Sequence, residues 1–156
     1  MKKIIVLMLV AAGVWFFLSP KKIPEMALKK FPSTFAEEKV LVGGPCSAEK
    51  CLTVYLAPWC GACKSLTPMI VDLNSQMETD GIPFTIVVGA DTPAKILDYA
   101  GTYPLPVVMD LESKYKKAAS INNYPTFIVT NKKGQVIKRY KGGYHEAVNM
   151  RKALDL

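Results

Sequence analysis

The spacing of apolar residues predicts alternating strands and helices from residue 39 to the end of the chain. Short runs rich in β-branched and aromatic residues predict strands at 39–42, 51–57, 84–88, 105–109, 126–130 and 135–140. Apolar residues that recur every three or four positions predict helices at 60–79, 92–100, 113–119 and 145–154. This order of elements predicts a three-layer α/β domain at 36–156.

Two of these elements carry a more specific signal. Pro68 should kink the helix at 60–79, because proline removes a backbone donor and clashes with the preceding turn. The run at 84–88 is apolar almost throughout, which predicts a central parallel strand covered on both faces.

The N-terminus has a different pattern. Lys2 and Lys3 precede an uncharged run at 4–18, which is shorter than the roughly 20 residues that comfortably span a bilayer. Bulky residues stand at its end, where a signal-peptide cleavage site needs small ones, so a signal anchor at 1–18 is favoured over a cleaved signal peptide. The two lysines favour a domain outside the membrane. Residues 19–35, which are rich in proline and lysine, are predicted to be a linker.

Composition narrows the class of protein. Half of the residues are hydrophobic and 21% are charged, which is the profile of a globular chain and excludes a disordered one. The net charge is +7, but the lysines are dispersed and no nucleic-acid-binding motif accompanies them. The charge therefore indicates a solvated surface, with a weak attraction to anionic lipid or to an acidic partner protein left open.

The sharpest chemical signal is the segment APWCGACK at residues 57–64. Cys60 and Cys63 stand at the predicted start of a helix, within side-chain reach of one another. Helix N-terminal amides favour a negative charge, which predicts that Cys60 is the attacking thiolate and Cys63 the resolving thiol. Gly61 and Ala62 keep the turn small enough for a protein substrate to approach. Such a pair exchanges thiols and disulfides without a cofactor or a metal ion.

With this motif the chain resembles the thioredoxin superfamily from about residue 40 to residue 154. The strand, the WCxxCK motif and the kinked helix match, and the segment NYPTF at 123–127 is similar to the family's cis-proline loop. The resemblance implies a thioredoxin fold, with a central mixed β-sheet flanked by helices. It also implies that Pro125 is cis and that Tyr124 lies beside Cys60. The implied substrate-docking residues are Trp59, Gly61, Ala62, Tyr124 and Pro125.

The segment 89–122, with its extra helix and the phrase PVVMD, resembles an insert of the membrane-anchored TlpA and DsbE branch. That branch is exported and usually reducing. The resemblance implies a single-pass inner-membrane protein whose catalytic domain lies on the periplasmic or extracytoplasmic side. It would act on protein thiols or disulfides as a reductase or an isomerase. An upstream membrane electron donor is required if it reduces.

The chain departs from the family at two places. Cytosolic thioredoxins have a buried aspartate six residues before the first cysteine, and Val54 stands there in this chain. Asp91, just after the central strand, is a candidate proton relay in its place. The residues between the cysteines are Gly-Ala, without the histidine of strong oxidants, which favours reducing or intermediate behaviour.

Cys46 and Cys51 leave three readings open. They form a second disulfide, stable or regulatory, in an oxidising compartment. They join Cys60 and Cys63 in a structural zinc site, although the spacing lacks two tight knuckles. Or they are unrelated buried thiols. The alternative function is a thioredoxin-fold chaperone that binds copper or zinc without redox turnover, in which His145, the only histidine, would be a copper ligand.

Overall fold

The computed structural model describes residues 21–33 and 38–156, and their strands form one seven-stranded mixed sheet. The strands are β1 (Met26–Phe31), β2 (Lys39–Val42), β3 (Lys50–Leu56), β4 (Phe84–Gly89), β5 (Val107–Asp110), β6 (Thr126–Asn131) and β7 (Val136–Lys141). The helices are α1 (Gly61–Ser65), α2 (Thr67–Thr79), α3 (Pro93–Thr102), α4 (Lys114–Ala118) and α5 (Ala147–Leu154). Each element predicted between residue 39 and residue 154 is present, with ends shifted by a few residues.

The strand order is β2-β1-β5-β4-β3-β6-β7. β4 pairs in parallel with β3 on one side and with β5 on the other, which confirms that the apolar run at 84–88 is a central parallel strand. β6 and β7 form an antiparallel hairpin beside β3. β3 therefore has a neighbouring strand on each side. The segment that follows Leu56 starts from a fixed position in the sheet.

The core has two parts, one on each face of the sheet, because side chains alternate along each strand. Leu52, Val54 and Leu56 of β3 point into the part that contains both Cys60 and Cys63. This part also holds the buried faces of α2, α3 and α5. Tyr55 points to the opposite face, where it meets Tyr115 of α4. The two cysteines thus belong to the larger part of the core.

The predicted helix at 60–79 is two helices that meet at Leu66. Pro68 lies in the first turn of α2, where its missing N–H costs no hydrogen bond because N-terminal amides have no partner within the helix. Proline therefore interrupts the helix as predicted, and it does so by starting a new one. The short α1 carries Cys63. It lies between the turn that follows β3 and the start of α2.

The structure differs from the linker predicted at 19–35. Met26–Phe31 is strand β1, which pairs antiparallel with both β2 and β5. Leu28 is buried in the core, while the lysines of the strand keep contact with solvent. The sheet thus begins ahead of the domain boundary predicted at 36. Lysine and proline content suggested a tether, but an alternating strand needs only one apolar side chain in two to bury a face.

The signal anchor predicted at 1–18 lies outside the described residues. Within residues 21–33 and 38–156, no helix has the length and apolar character needed to cross a membrane.

Candidate active site

Cys60 sits at the junction between the end of β3 and the start of α1. A turn at 57–60 closes with a hydrogen bond from the Cys60 N–H to the Ala57 carbonyl, 3.1 Å. Cys60 is the N-cap of α1, and its Sγ accepts the backbone N–H of Cys63 at 3.1 Å. No acidic residue lies in the first turn of α1. The helix end therefore offers a donor to the Cys60 sulfur and no opposing charge.

Cys63 lies one turn further in and has no solvent-exposed surface. Burial raises the pKa of its thiol well above the usual range, and its hydrogen bond with Cys60 raises it further. Cys63 is therefore held as a neutral thiol, while Cys60, which is 6% exposed, lies nearer to solvent. The two sulfurs thus have different surroundings: Cys60 is the more accessible one, and Cys63 is shielded.

The space in front of the cysteines is open. Gly61 and Ala62 are exposed, and a Cβ placed on Gly61 would have no atom within 4 Å. Trp59 is 59% exposed even though it is a large aromatic residue. The exposed turn and the Trp59 ring thus form a partly apolar surface around Cys60.

Tyr124 and Pro125 come from the loop before β6. The Tyr124–Pro125 peptide bond is cis. The Tyr124 ring packs edge-on against Trp59, with 5.2 Å between the ring centroids. The cis bond at Pro125 agrees with what the resemblance implied, and the loop packs against Trp59, the residue that precedes Cys60. The carbonyl of Pro125 accepts the N–H of Gly142, 2.8 Å, which ties this loop to the end of β7.

Trp59 is fixed by a backbone contact from another part of the chain. Its Nε1 donates to the Ala90 carbonyl at 2.9 Å, and Ala90 has a left-handed backbone with φ 62°. Directly before it, Gly89 passes so close to Tyr55 that a Cβ there would overlap the Tyr55 hydroxyl. The β4–α3 turn therefore needs glycine at 89 to bring the Ala90 carbonyl under the tryptophan.

Next to Tyr55 lies a buried carboxylate that sequence reasoning missed. Asp110, fully buried, accepts the Tyr55 hydroxyl at 3.0 Å and the backbone N–H groups of Tyr115 and Lys116 at 3.2 and 2.9 Å. Tyr55 in turn packs against Tyr124. The carboxylate holds strand β5, helix α4 and Tyr55 together on the face away from the cysteines. Its place at the end of an apolar strand was the only signal in the sequence.

Asp91 lies close to the motif but is engaged elsewhere. Its carboxylate accepts the backbone N–H of Thr92 at 2.8 Å and forms an ion pair with Lys95 at 3.6 Å. It lines a groove of about 430 Å³ together with Trp59 and Lys64. The Asp91 side chain thus contacts the start of α3. Asp91 stays a candidate proton relay at the edge of the site.

Two half-buried tyrosines were also missed. Tyr99 of α3 and Tyr103 just after it pack against the part of the core that contains the cysteines. Burial raises the pKa of both phenols, that of Tyr99 to about 12, and negative charge on Cys63 raises both further. The sequence gives no local sign of them, because they are about forty residues beyond the motif.

Cys46 and Cys51 form a disulfide bond, with 5.7 Å between their Cα atoms. The bond ties the loop after β2 to the first residues of β3, at the end of the strand opposite to Cys60. Two of the four thiols are therefore not available as zinc ligands. Among the described residues no group of three or more His, Cys, Asp or Glu side chains is arranged to hold a metal ion. His145 is exposed just ahead of α5.

A family model described as a thioredoxin-like domain matches residues 46–156. Among solved structures, StoA from Bacillus subtilis has 18% identity and a TM-score of 0.64, with 86% of this chain and 98% of that chain covered. The exposed lipoprotein thioredoxin of Streptococcus pneumoniae has 17% identity and a TM-score of 0.67, with 85% and 100% covered. A thio-disulfide isomerase from Thermus thermophilus has 23% identity and a TM-score of 0.57, with 86% and 90% covered. Curated protein sequences contain no match.

Proposed function

The chain belongs to the thioredoxin-like family, and from that premise we propose that it is an exported thiol-disulfide oxidoreductase that acts on protein cysteines through Cys60 and Cys63. The observation that carries the proposal is the asymmetry of the pair. Cys60 caps a helix and receives the Cys63 N–H, whereas Cys63 is fully buried with a raised pKa. An attacking thiolate and a protected second thiol are what disulfide exchange requires.

The reaction proceeds in two steps. The Cys60 thiolate attacks a substrate disulfide, which forms a mixed disulfide and releases one substrate thiolate. Cys63 then loses its proton and attacks the Cys60 sulfur, which closes the Cys60–Cys63 bond and releases the second substrate thiolate. Two electrons pass from the protein to the substrate. The surface made by Trp59, Tyr124 and Pro125 docks the extended segment that carries the substrate cysteine.

The direction of the reaction is reducing or isomerase-like in this proposal. Gly61 and Ala62 supply no side-chain charge that would stabilise the reduced Cys60 thiolate. A strong oxidant owes its potential to such stabilisation of its reduced form. A reductase outside the cytoplasm needs a continuous source of electrons, so an upstream membrane donor is its second partner. The named activity of the similar isomerase from Thermus thermophilus is in line with this class.

The location in this proposal is the outer side of the inner membrane, with residues 1–18 as a single-pass anchor. The Cys46–Cys51 disulfide supports an oxidising compartment, because structural disulfides are rare in reducing ones. The similar lipoprotein of Streptococcus pneumoniae is described as exposed. Fractionation of the full chain with a protease-accessibility assay tests the location: the domain should be digested from the outer side.

The function is tested by two experiments on the reduced protein. Titration with an alkylating reagent should modify one thiol, Cys60, much faster than a model thiol. A Cys63→Ala variant should accumulate mixed disulfides with protein substrates through Cys60, and the double variant Cys60→Ser with Cys63→Ala should accumulate none. Equal, model-like reactivity of both thiols sinks the proposal. The equilibrium of the pair with glutathione then measures the direction.

A further inference from the structure

The second step of the proposed reaction has no assigned route for the Cys63 proton. Val54, the residue of β3 that faces the cysteines at the place of the family's acid, is apolar and fully buried. Asp91 is engaged with Thr92 and Lys95 at the edge of the site. Cys63 itself is fully buried, so bulk water does not reach it. A buried thiol with a raised pKa needs a polar neighbour to lose its proton.

The polar neighbours that the structure supplies are hydroxyl groups. Among the described residues, the hydroxyl oxygens of Tyr99 and Tyr103 are the buried side-chain oxygens that have no hydrogen-bond partner. Buried polar groups are nearly always paired with protein or with ordered water, so two unpaired hydroxyls on adjacent rings indicate a shared partner. The ring centroids of the two tyrosines are 5.6 Å apart. The two unpaired hydroxyls therefore belong to one small region of the core.

Thr67 joins this region to Cys63. Its hydroxyl donates to the Cys63 carbonyl at 3.3 Å, across the break between α1 and α2. The same hydroxyl is close enough to both phenols to lower their pKa values, although neither contact reaches hydrogen-bond distance and angle. The three hydroxyls thus form one cluster next to Cys63. A buried water needs two to four polar partners, and this cluster provides three.

Tyr99 also reaches the solvent side of the region. It lines the groove of about 430 Å³ that Trp59, Lys64 and Asp91 line as well. Its hydroxyl is buried while its other atoms border the groove. The Tyr99 side chain therefore separates the hydroxyl cluster from the solvent in the groove.

We propose that Tyr99, Tyr103 and Thr67 hold one buried water beside Cys63 and that this water relays the Cys63 proton in the resolving step, an inference that rests on the function proposed above. The Cys63 thiol gives its proton to the water as its sulfur forms the bond to Cys60. The bond between Cys60 and the substrate sulfur breaks, and the substrate leaves as a thiolate. The Tyr99 hydroxyl accepts a proton from the water as it donates its own toward the groove, where solvent takes it.

Both tyrosines stay protonated throughout this relay. Burial keeps both phenols protonated, and negative charge on Cys63 raises the pKa of each further. The hydroxyls are therefore protonated at the moment when Cys63 ionises, and they stabilise its charge through the water. The titratable groups that act on Cys63 are Cys60 on α1 and the two tyrosines, while Lys64, Asp91, Lys95 and Asp98 line the outer groove.

The test is a rapid-mixing experiment on the full reduced protein with an aromatic disulfide that releases a coloured thiolate. A first burst of colour reports the attack of Cys60, and a second phase reports the attack of Cys63. The leaving aromatic thiolate is weakly basic and takes no proton, so the pH profile of the second phase follows the ionisation of Cys63. The variants are Tyr99→Phe, Tyr103→Phe and the double variant, which keep both rings. Tyr115→Phe, a buried tyrosine on the opposite face, is the matched control.

The double variant should keep the first phase within twofold and slow the second phase about tenfold, the effect of losing one hydrogen bond to a charge. The pH midpoint of its second phase should move upward by about one unit. An unchanged second phase, or a slow one with an unchanged midpoint, overturns the relay. Loss of the first phase in the double variant also overturns it, since the tyrosines would then act on Cys60. Absence of the first phase in the unaltered protein refutes the proposed function instead.

Discussion

The two cysteine pairs lie near opposite ends of strand β3 and have opposite states in the structure. Cys46 and Cys60 are almost equally buried, 7% and 6% exposed, so access to solvent does not separate them. The backbone around each cysteine is what distinguishes them. Cys46 stands in a loop and is bonded to Cys51, which β3 holds in register with Thr130 of β6. Cys60 caps a helix next to an exposed turn. One pair is closed in the structure and the other is open.

The comparison teaches that the environment of a sulfur, more than its burial, decides what it does. At the Cys46–Cys51 end, Cys51 is held in strand β3, and the disulfide ties the loop that carries Cys46 to it. At the other end, Cys60 caps a five-residue helix that contains Cys63 and stops at the break at Leu66, and the turn beside Cys60 is exposed. Exchange chemistry needs an incoming sulfur in line with Cys60, and this exposed turn provides the room.

The largest expected effect comes from removing the nucleophile. Cys60→Ser should lower the catalysed reduction of a protein disulfide by roughly a thousandfold or more, as loss of a covalent nucleophile does. The double variant Cys46→Ser with Cys51→Ser should keep nearly full activity. Turnover assays on both proteins measure the difference. Comparable losses in the two variants would show that the pairs are not functionally distinct.

A second experiment measures stability, for which the Cys46–Cys51 pair should matter more than Cys60. Replacement of Cys46 and Cys51 by serine should lower the free energy of unfolding by about 2 kcal/mol, because the bond closes a short loop in the unfolded chain. In the reduced state, replacement of Cys60 by serine should change it by less than about 0.5 kcal/mol. Denaturant titration under conditions that keep the first pair oxidised gives both values. A larger loss at Cys60 would contradict the structural role given to the first pair.

The pH dependence of stability separates the pairs next. The raised pKa of Cys63 means that the folded protein keeps a proton that the unfolded chain releases above about pH 9. Stability is therefore complete below that pH and falls as pH rises beyond it, by about 1.4 kcal/mol per pH unit. Unfolding of the reduced protein between pH 8 and about pH 10 measures the slope. The protein oxidised at Cys60 and Cys63 has no such proton, and an equal slope there would assign the effect to another group.

The smallest effect concerns the docking surface. Trp59→Phe removes the hydrogen bond to the Ala90 carbonyl and keeps an aromatic ring beside Tyr124. We expect kcat/KM for a protein substrate to fall by roughly three- to tenfold, about 1 kcal/mol, mostly through KM. Leu41→Ala is the matched control, because Leu41 is exposed and lines the pocket beside Cys46 and Cys51. Equal effects of the two substitutions would remove Trp59 from the docking surface.

The sequence predicted most elements of the fold because their signals are local. The alternation in β3 and β6 places Val54 and Phe127 on one face without any knowledge of the partner strands. The break near Pro68 follows from a covalent property of proline. Strand β1 was missed because its lysines and flanking prolines resemble a tether, and what makes it a strand is the edge of β5, which lies far along the chain.

The candidate site, like the fold, has one part that local sequence predicts and another that depends on distant segments. Local sequence was enough to identify Cys60 and Cys63 as the candidate pair, because their spacing and the helix that follows act within one turn of backbone. Tertiary packing sets the groups around that pair: Ala90 beneath Trp59, and the hydroxyls of Tyr99 and Tyr103 near Cys63. These contacts join segments that are about thirty to forty residues apart. They form only when β4 and α3 pack against β3, and no short pattern in the chain encodes such a meeting.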